Sequence, residues 1–430
     1  LSDNVLTLSS ALQQALENNF DIKIARNLVL QAEHNAEGLY GFGNAGMLPN
    51  LNINASFIES RSNVFQRRSD TQAERDVPGI IADRFNAAAQ LDWTLFNGLR
   101  MFATLDRLKE LNERSKLALR QSIENTTAQV MMAYYAIVQQ QTQYRALRTV
   151  LERSRERLTI AQAKEGIGAG SQLEVMRAKV DLNADSAALL RQGVVVRNAK
   201  AALHVLLTKK ADDTAVDAMS VQDSLVINTA LLRTSYKDLL AQAERSNSLL
   251  RDLKAAEQVA SAAAREAESV YFPTINLTAG YNFVNIQDQA SIFSINRFYG
   301  LSYGLTAQWT LFNGFNNDRQ AQNARLDVGT AQLQYNDALT SLDGSLAQAF
   351  RTFRNSVELV KLEEENLGIA QETVRIGLER FRLGALTSLD LREIQLNALA
   401  AETRLVQARF EAKAAEIEIM RLTGQLVSAQ

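Results

Sequence analysis

The chain contains no cysteine in 430 residues. That excludes disulfides, thiolate metal sites and a cysteine nucleophile within these residues, leaves none of them to carry a lipid anchor, and leaves the redox compartment open. There are only two histidines, His34 and His204, without partners at ligand spacing, so neither a metal site nor histidine acid–base chemistry is indicated. Three prolines, set against abundant Ala, Leu, Gln, Glu and Arg, favour long helices. A net charge of −2 makes no electrostatic case for nucleic acid or anionic lipid. No run approaches 18 apolar residues; the densest, Val130 to Val138, is flanked by glutamines, so no helix is expected to cross a membrane. No secretory signal is evident, and an exported protein would be present here in its mature form. Gly41 to Gly46 fits the glycine spacing of a dinucleotide loop, but it follows a helix and precedes a strand, the reverse of the required order. Without a P-loop or a recognisable acid/base pair, no enzyme and no cofactor are expected.

What the chain does have is a repeat. Trp93-Thr94-Leu95-Phe96-Asn97-Gly98 recurs as Trp309-Thr310-Leu311-Phe312-Asn313-Gly314, 216 residues later. The same offset pairs Gly168-Ala169 with Gly384-Ala385 and Leu206 with Leu422. The chain therefore reads as two copies of one unit, 1–208 and 236–424, joined by a linker at 209–235 and followed by a tail at 425–430. Upstream, Pro49 matches Pro273, with eight more residues between proline and tryptophan in the first copy, which implies a longer loop there.

Each copy predicts the same order of elements. Leu12, Leu16, Phe20 and Ile24 recur every fourth residue behind a serine cap at Ser9 or Ser10, giving one helix towards Gly38. After Pro49 the period drops to two, giving strands at about 50–60 and 84–96, with polar residues 58–83 as a loop. Leu99 to Glu165 holds no proline or glycine and suits a helix ~100 Å long. A turn at 166–171 follows, with Ser171 capping a helix to about Thr208; so short a turn makes the two helices antiparallel. The second copy predicts a helix over about 235–270, strands at about 273–284 and 298–312 around a loop at 285–297, and a helix from Gly314 to about Leu383. A turn at 384–388 leads into a last helix ending at Thr423-Gly424. In that helix, positions 389, 396, 403, 410 and 417 with 392, 399, 406, 413 and 420 are mostly apolar, which predicts a coiled-coil seam. His204 matches Met420 and reads as seam packing.

Each strand carries one apolar and one polar face and is long enough to cross a membrane, where ~9–11 tilted residues suffice. Four strands cannot close, and an open sheet would leave unpaired backbone edges in lipid. Three copies would supply twelve strands. Trp93, Phe96, Tyr271, Phe272, Trp309 and Phe312 gather at one end of the strands, as an interfacial girdle would. The alternative for these faces is a soluble β-sandwich.

This plan resembles the TolC family of outer-membrane channel proteins. The resemblance rests on Ala11-Leu12-x-x-Ala15-x-x-x-Asn19 and its counterpart Leu239-Leu240-x-x-Ala243-x-x-x-Asn247, on the proline before each first strand, and on the Phe-Asn-Gly after each second strand. Above all it rests on Arg380-Phe381-x-x-Gly384-x-x-Thr387-x-x-Asp390, where the first copy has Lys164-Glu165 in place of Arg-Phe. It implies a mixed α and β, mainly long-helical protomer in a homotrimer, with a twelve-stranded barrel in the outer membrane of a Gram-negative bacterium and a helical tunnel in the periplasm. It also implies an exit duct for tripartite efflux or type I secretion, fed by a periplasmic adaptor and an inner-membrane transporter, with 209–235 and the termini forming an equatorial belt.

Asp390 and Glu393 are three apart and so share one helix face; in a trimer they would form stacked carboxylate rings that select cations. The resemblance places a periplasmic gate there, with Glu174 at the matching first-copy site. The plain alternative is helix N-termini that favour acids. The turns Gly168, Ala169, Gly170 and Ser171, and Gly384, Ala385, Leu386 and Thr387, are the expected adaptor-docking tips. The family's tyrosine–arginine link falls on Phe381 and Leu386 here, so it is not carried over. A soluble coiled-coil adaptor or scaffold is the competing reading.

Overall fold

The computed structural model describes residues 5–67, 69–209, 212–221, 225–288 and 294–426. Parts of the expected linker (210–211, 222–224), of the expected loops (68, 289–293) and of the tail (427–430) lie outside the described residues. In chain order the elements are β1 (Val5–Leu6), α1 (Leu8–Asn18), α2 (Phe20–Ala36), α3 (Gly38–Asn44), β2 (Asn50–Arg67), β3 (Glu74–Asn97), α4 (Arg100–Gly166), α5 (Gln172–Leu206), α6 (Asp213–Ala218) and β4 (Ser220–Val221). Then follow α7 (Tyr236–Ser246), α8 (Ser248–Glu268), β5 (Thr274–Asp288), β6 (Ile295–Gln308), α9 (Asn316–Arg382) and α10 (Ser388–Leu422), with short 3-10 turns at Thr229–Arg233 and Ser269–Tyr271. The two copies match closely in their long helices. Both α4 and α9 have 67 residues, and both α5 and α10 have 35.

The repeats are not the compact units. One unit takes 1–28, 116–252 and 334–430, the other 29–115 and 253–333, so each unit draws on both copies.

In the first unit the long helices pack through small residues. The buried stripe of α10 is Leu391, Ala398, Leu405, Ala412 and Ile419, with Ala401, Ala408, Ala415 and Leu422 beside it. The expected heptad holds in part: Val406, Lys413 and Ile417 are buried, whereas Leu389 and Leu396 are exposed. Alanine between the buried leucines and isoleucines lets the helix backbones approach closely. Buried His204 at the foot of α5 agrees with a packed role. The N-terminal segment and linker join this unit. β1 pairs in parallel with β4, the Tyr134 hydroxyl donates to Leu6 O at 3.1 Å, and Lys413 Nζ donates to Val226 O and to Glu416 Oε1, both at 2.8 Å. Burial, with the nearby Glu416 charge, pushes the Tyr135 hydroxyl up to about 12.

The first helix of each copy is not continuous as expected. It breaks at Asn19 and at Asn247, whose backbones turn extended (ψ 131° and 121°). Asn19 Oδ1 accepts from the amides of Asp21 and Ile22, and Asn247 Oδ1 from Leu250. Each asparagine thus ends one helix and caps the next.

The second unit is built on one antiparallel sheet in the order β2-β3-β5-β6. The first hairpin corrects the expected loop at 58–83, most of which is strand: β2 runs to Arg67 and β3 starts at Glu74. The polarity that suggested a loop belongs to a ribbon whose described residues are mostly exposed, with Ile80 buried. Among the described residues β5 pairs as far as Asp288 opposite Ala82, and none pairs with the part of the hairpin beyond. There Arg67 pairs with Glu74, and the Gly79 amide donates to Asn63 Oδ1 at 2.8 Å beside a bulge at Ser62/Val64. The fourth strand is shorter than expected, ending at Gln308 before Trp309. The central strand β3 keeps pairing to Asn97 opposite Thr274, whereas the edge strand β6 has a single described neighbour to hold it.

Candidate functional site

The sheet separates two chemistries. Register places Ile53, Ala89, Tyr281 and Leu301 in one row and Leu51, Leu91, Ala279 and Tyr303 in the next. Four such rows run from Trp93–Leu277–Leu305 to Ala55–Ala87–Phe283–Tyr299, about 20 Å along the strands at ~6.8 Å per row, and Phe57–Phe85 adds a fifth on β2 and β3 only, which brings the band there close to the ~25 Å of outer-membrane barrels. Polar residues bound it at the far end, where Arg297 Nε donates to Asn285 Oδ1 at 3.0 Å and Glu59 faces Asp83. Within the band Ile53 is 80 % and Tyr303 81 % exposed, an apolar surface that a monomer in water does not sustain. The opposite face carries rows such as Asn50–Asp92–Thr278–Gly304 and Asn52–Gln90–Gly280–Ser302, polar and nearly neutral.

The duplicated hexapeptide makes the junction between sheet and helix, the same way twice. Trp93 Nε1 donates to Met47 O at 3.0 Å and Trp309 Nε1 to Tyr271 O at 3.1 Å; each carbonyl lies two residues before the copy's proline. Asn97 Oδ1 accepts from the Met101 amide and Asn313 Oδ1 from the Asn317 amide, four residues on in both copies. Gly98-Leu99 and Gly314-Phe315 both adopt positive φ, from 63° to 68°, turning the chain from strand into helix. Trp93, Phe96, Tyr271, Phe272, Trp309 and Phe312 all lie at these junctions, and all but Phe96 are exposed. A second aromatic group was missed in the sequence: Phe57, Phe85, Phe283 and Tyr299 sit at the other end of the band, with Phe85 and Phe283 rings 6.1 Å apart. All four fall within the expected strands, where alternation alone does not single them out.

The tips differ between copies. Both turns close alike, with Ala169 N donating to Lys164 O and Ala385 N to Arg380 O at 2.8 and 2.9 Å, and with Gly168 and Gly384 at positive φ. Ser171 caps α5, its Oγ accepting from the Glu174 amide at 3.3 Å. In the second copy a reciprocal capping box forms: Thr387 Oγ1 accepts from the Asp390 amide at 3.2 Å, and Asp390 Oδ2 accepts from the Thr387 amide and hydroxyl at 3.3 and 2.7 Å. Asp390 and Glu393 are exposed, Glu174 half-buried. Leu386 is half-buried and Phe381 buried. Lys164 Nζ donates to Phe381 O at 2.6 Å and lies 4.3 Å from the centre of its ring, so a cation–π contact occupies the position where the family resemblance would put tyrosine.

Near the second tip lies a charged cluster that the sequence did not reveal. Arg392 of α10 donates through Nη1 and Nη2 to Asp185 of α5, both at 2.7 Å. Ser154 Oγ of α4 donates to Asp185 Oδ2 at 2.6 Å, and Arg157 Nη2 of α4 donates to Asp181 Oδ2 at 2.6 Å. Arg157 is 0 % exposed. Its burial, together with the neighbouring Arg392 charge, lowers its proton affinity against the pull of Asp181. For Arg392, burial works the same way, but the bonds and charge of Asp185 outweigh it.

Among the described residues no cluster of His, Asp or Glu is placed to hold a metal ion, and no helix is long and apolar enough to cross a membrane. The family described as outer membrane efflux protein matches residues 11–208 and 239–425, covering both copies. The outer membrane efflux protein BepC of Brucella suis biovar 1 (strain 1330) is 22 % identical over 342 residues, 79 % of this chain and 72 % of BepC. Among solved structures, the outer-membrane channel OprN superposes with TM-score 0.80 at 20 % identity, over 97 % of this chain and 90 % of OprN. The outer membrane protein VceC of Vibrio cholerae gives 0.76 at 15 % identity over 97 % and 96 %, and the outer membrane channel CmeC of Campylobacter jejuni 0.77 at 16 % over 97 % and 85 %. The soluble-scaffold reading is set aside by these matches. The chain belongs to the outer membrane efflux protein family: it is an exit channel of the outer membrane with a periplasmic helical part, and not an enzyme.

Proposed function

We propose that three copies of this chain close a twelve-stranded barrel, which discharges substrates delivered through a periplasmic adaptor from an inner-membrane transporter. The observation that carries the reading is the four-stranded sheet with β2 and β6 at its edges and a lipid-height apolar band on one face. Unpaired strand edges are not tolerated in hydrocarbon, and pairing β6 with β2 of the next copy removes both. Trp93, Phe96, Tyr271, Phe272, Trp309 and Phe312 then mark the periplasmic membrane interface, and Phe57, Phe85, Phe283 and Tyr299 the outer one. The polar, nearly neutral rows line the lumen, which suits a duct that leaves selection to its transporter. At the tips, Asp390 and Glu393 form the periplasmic gate with a smaller share from Glu174. The turns 168–171 and 384–387 present small residues to an adaptor hairpin.

Because the chain has no cysteine, engineered pairs test the closure directly. Asn52→Cys in β2 is combined in turn with single cysteines at positions 300–306 of β6. Oxidation is expected to give covalent dimers and closed trimers and nothing larger. Monomers at every position, or ladders beyond three, would contradict the proposal.

A further inference from the structure

The face of the sheet opposite the lipid band changes character along its length. Near the junction its rows are polar, as in Asn52–Gln90–Gly280–Ser302. At the outer end two successive rows, Ser56–Asn86–Val284–Phe298 and Ile58–Arg84–Ile286–Asn296, set four apolar side chains around one arginine. Ile58 and Ile286 stand on the strands either side of Arg84, ~4.8 Å away, and Val284 and Phe298 lie one row, ~6.8 Å, nearer the junction. Ile58 is 54 % and Phe298 55 % exposed, whereas Ile80, further out on the same face opposite Ser62, is buried. Arg84 is exposed, and among the described residues its guanidinium has no hydrogen-bond or ion-pair partner. The rest of its row is uncharged; by register the nearest acid on this face is Asp288, one row further out, opposite Ala82. An apolar wall with a single placed cation is the composition of a ligand site, and the Asn, Ser and Gly rows nearer the junction show that a wet sheet face needs neither part. Under the barrel reading above this face lines the lumen, and three copies would close these rows into one collar at the exit.

We propose that this collar is a resting site for organic anions with an apolar body, the body lying against Ile58, Ile286 and Phe298 and the anionic group on Arg84, whose planar fork of donors suits a carboxylate, sulfonate or phosphate. The proposal rests on the barrel reading and names a class of cargo for it. Its test uses single channels of the full-length protein in planar bilayers, with naphthalene-2-sulfonate as the probe. The probe should block the current at a concentration about tenfold below that of (2-naphthyl)trimethylammonium, which has the same body and the opposite charge. Sulfate, which has the charge alone, should have no effect over that range. Arg84→Gln should weaken the block about tenfold, and Phe298→Ser with Ile286→Ser about as much, each with parental conductance before the probe is added. Arg84→Lys should keep most of the block. Equal block of the parent and Arg84→Gln, or equal block by sulfate, would overturn the proposal. So would a block that appears only after deletion of 64–77, because the outer hairpin would then be what covers the collar. Failure of the barrel reading has a different signature: the Asn52→Cys pairs would give no closed trimer, and the parent no current to block.

Discussion

The two copies agree where the strand becomes helix and part company at the tips. At the junctions, tryptophan clamps, asparagine caps and left-handed glycines recur residue for residue, because both copies must turn a membrane strand into a ~100 Å helix by the same backbone geometry. At the tips, the first copy has a single serine cap and the second a capping box, and where the copies meet Phe381 lies under Lys164 and Arg392 of the second copy joins Asp185, Asp181 and Arg157 of the first. Identity between copies marks what the fold requires. Difference marks where one copy has been put to a separate use.

Substitutions that break or sharpen this comparison fall in a clear order. The largest effect comes from the one place where the junctions are unequal. A Cβ on Gly98 would lie 2.4 Å from Ser269 O, whereas one on Gly314 meets nothing within 4 Å, and both residues have φ of 68°. Gly98→Ala is expected to cost about 3–5 kcal/mol, from clash and left-handed strain together, and Gly314→Ala only the strain, about 1–2 kcal/mol. Urea unfolding in detergent or vesicles reads the difference, and equal costs would refute the close approach. Next, Ile53→Arg and Leu301→Arg, one from each copy in the same row, should each cost about 2–4 kcal/mol in lipid, while Ser302→Arg on the opposite face should leave stability nearly intact. Asn97→Ala and Asn313→Ala should cost about 1 kcal/mol each, equally, as helix caps. The smallest contrast lies at the tips, where Thr387→Ala, which breaks a reciprocal box, should cost about 1 kcal/mol and Ser171→Ala about half that; local exchange rates would show it.

Much of this plan was legible in sequence, and what was not has physical reasons. The duplicated hexapeptide located both junctions, because their hydrogen bonds are local. The alternation of Leu51, Ile53 and Ala55 with Asn50, Asn52 and Asn54 exposed the two faces. The outer part of the first hairpin is not legible because Arg61, Arg67, Glu74 and Asp76 interrupt the apolar alternation. Helix breaks at Asn19 and Asn247 were masked by an apolar stripe that continues across the break. The α10 seam is legible towards its end, where Val406, Lys413 and Ile417 are buried, and not at its start, where Leu389 and Leu396 are exposed. The Arg392 cluster was invisible because its partners stand 31 and 207 residues apart in the chain, and only folding brings them together.

We propose a channel whose second tip carries its gate. Single-channel recording of the purified protein in planar bilayers tests it most directly. The parent should conduct with a preference for cations. Asp390→Asn with Glu393→Gln should lower that preference several-fold, and Glu174→Gln should lower it less. A protein that inserts but does not conduct, or a cation preference that Glu174→Gln lowers as much as the Asp390 and Glu393 changes do, would contradict the claim.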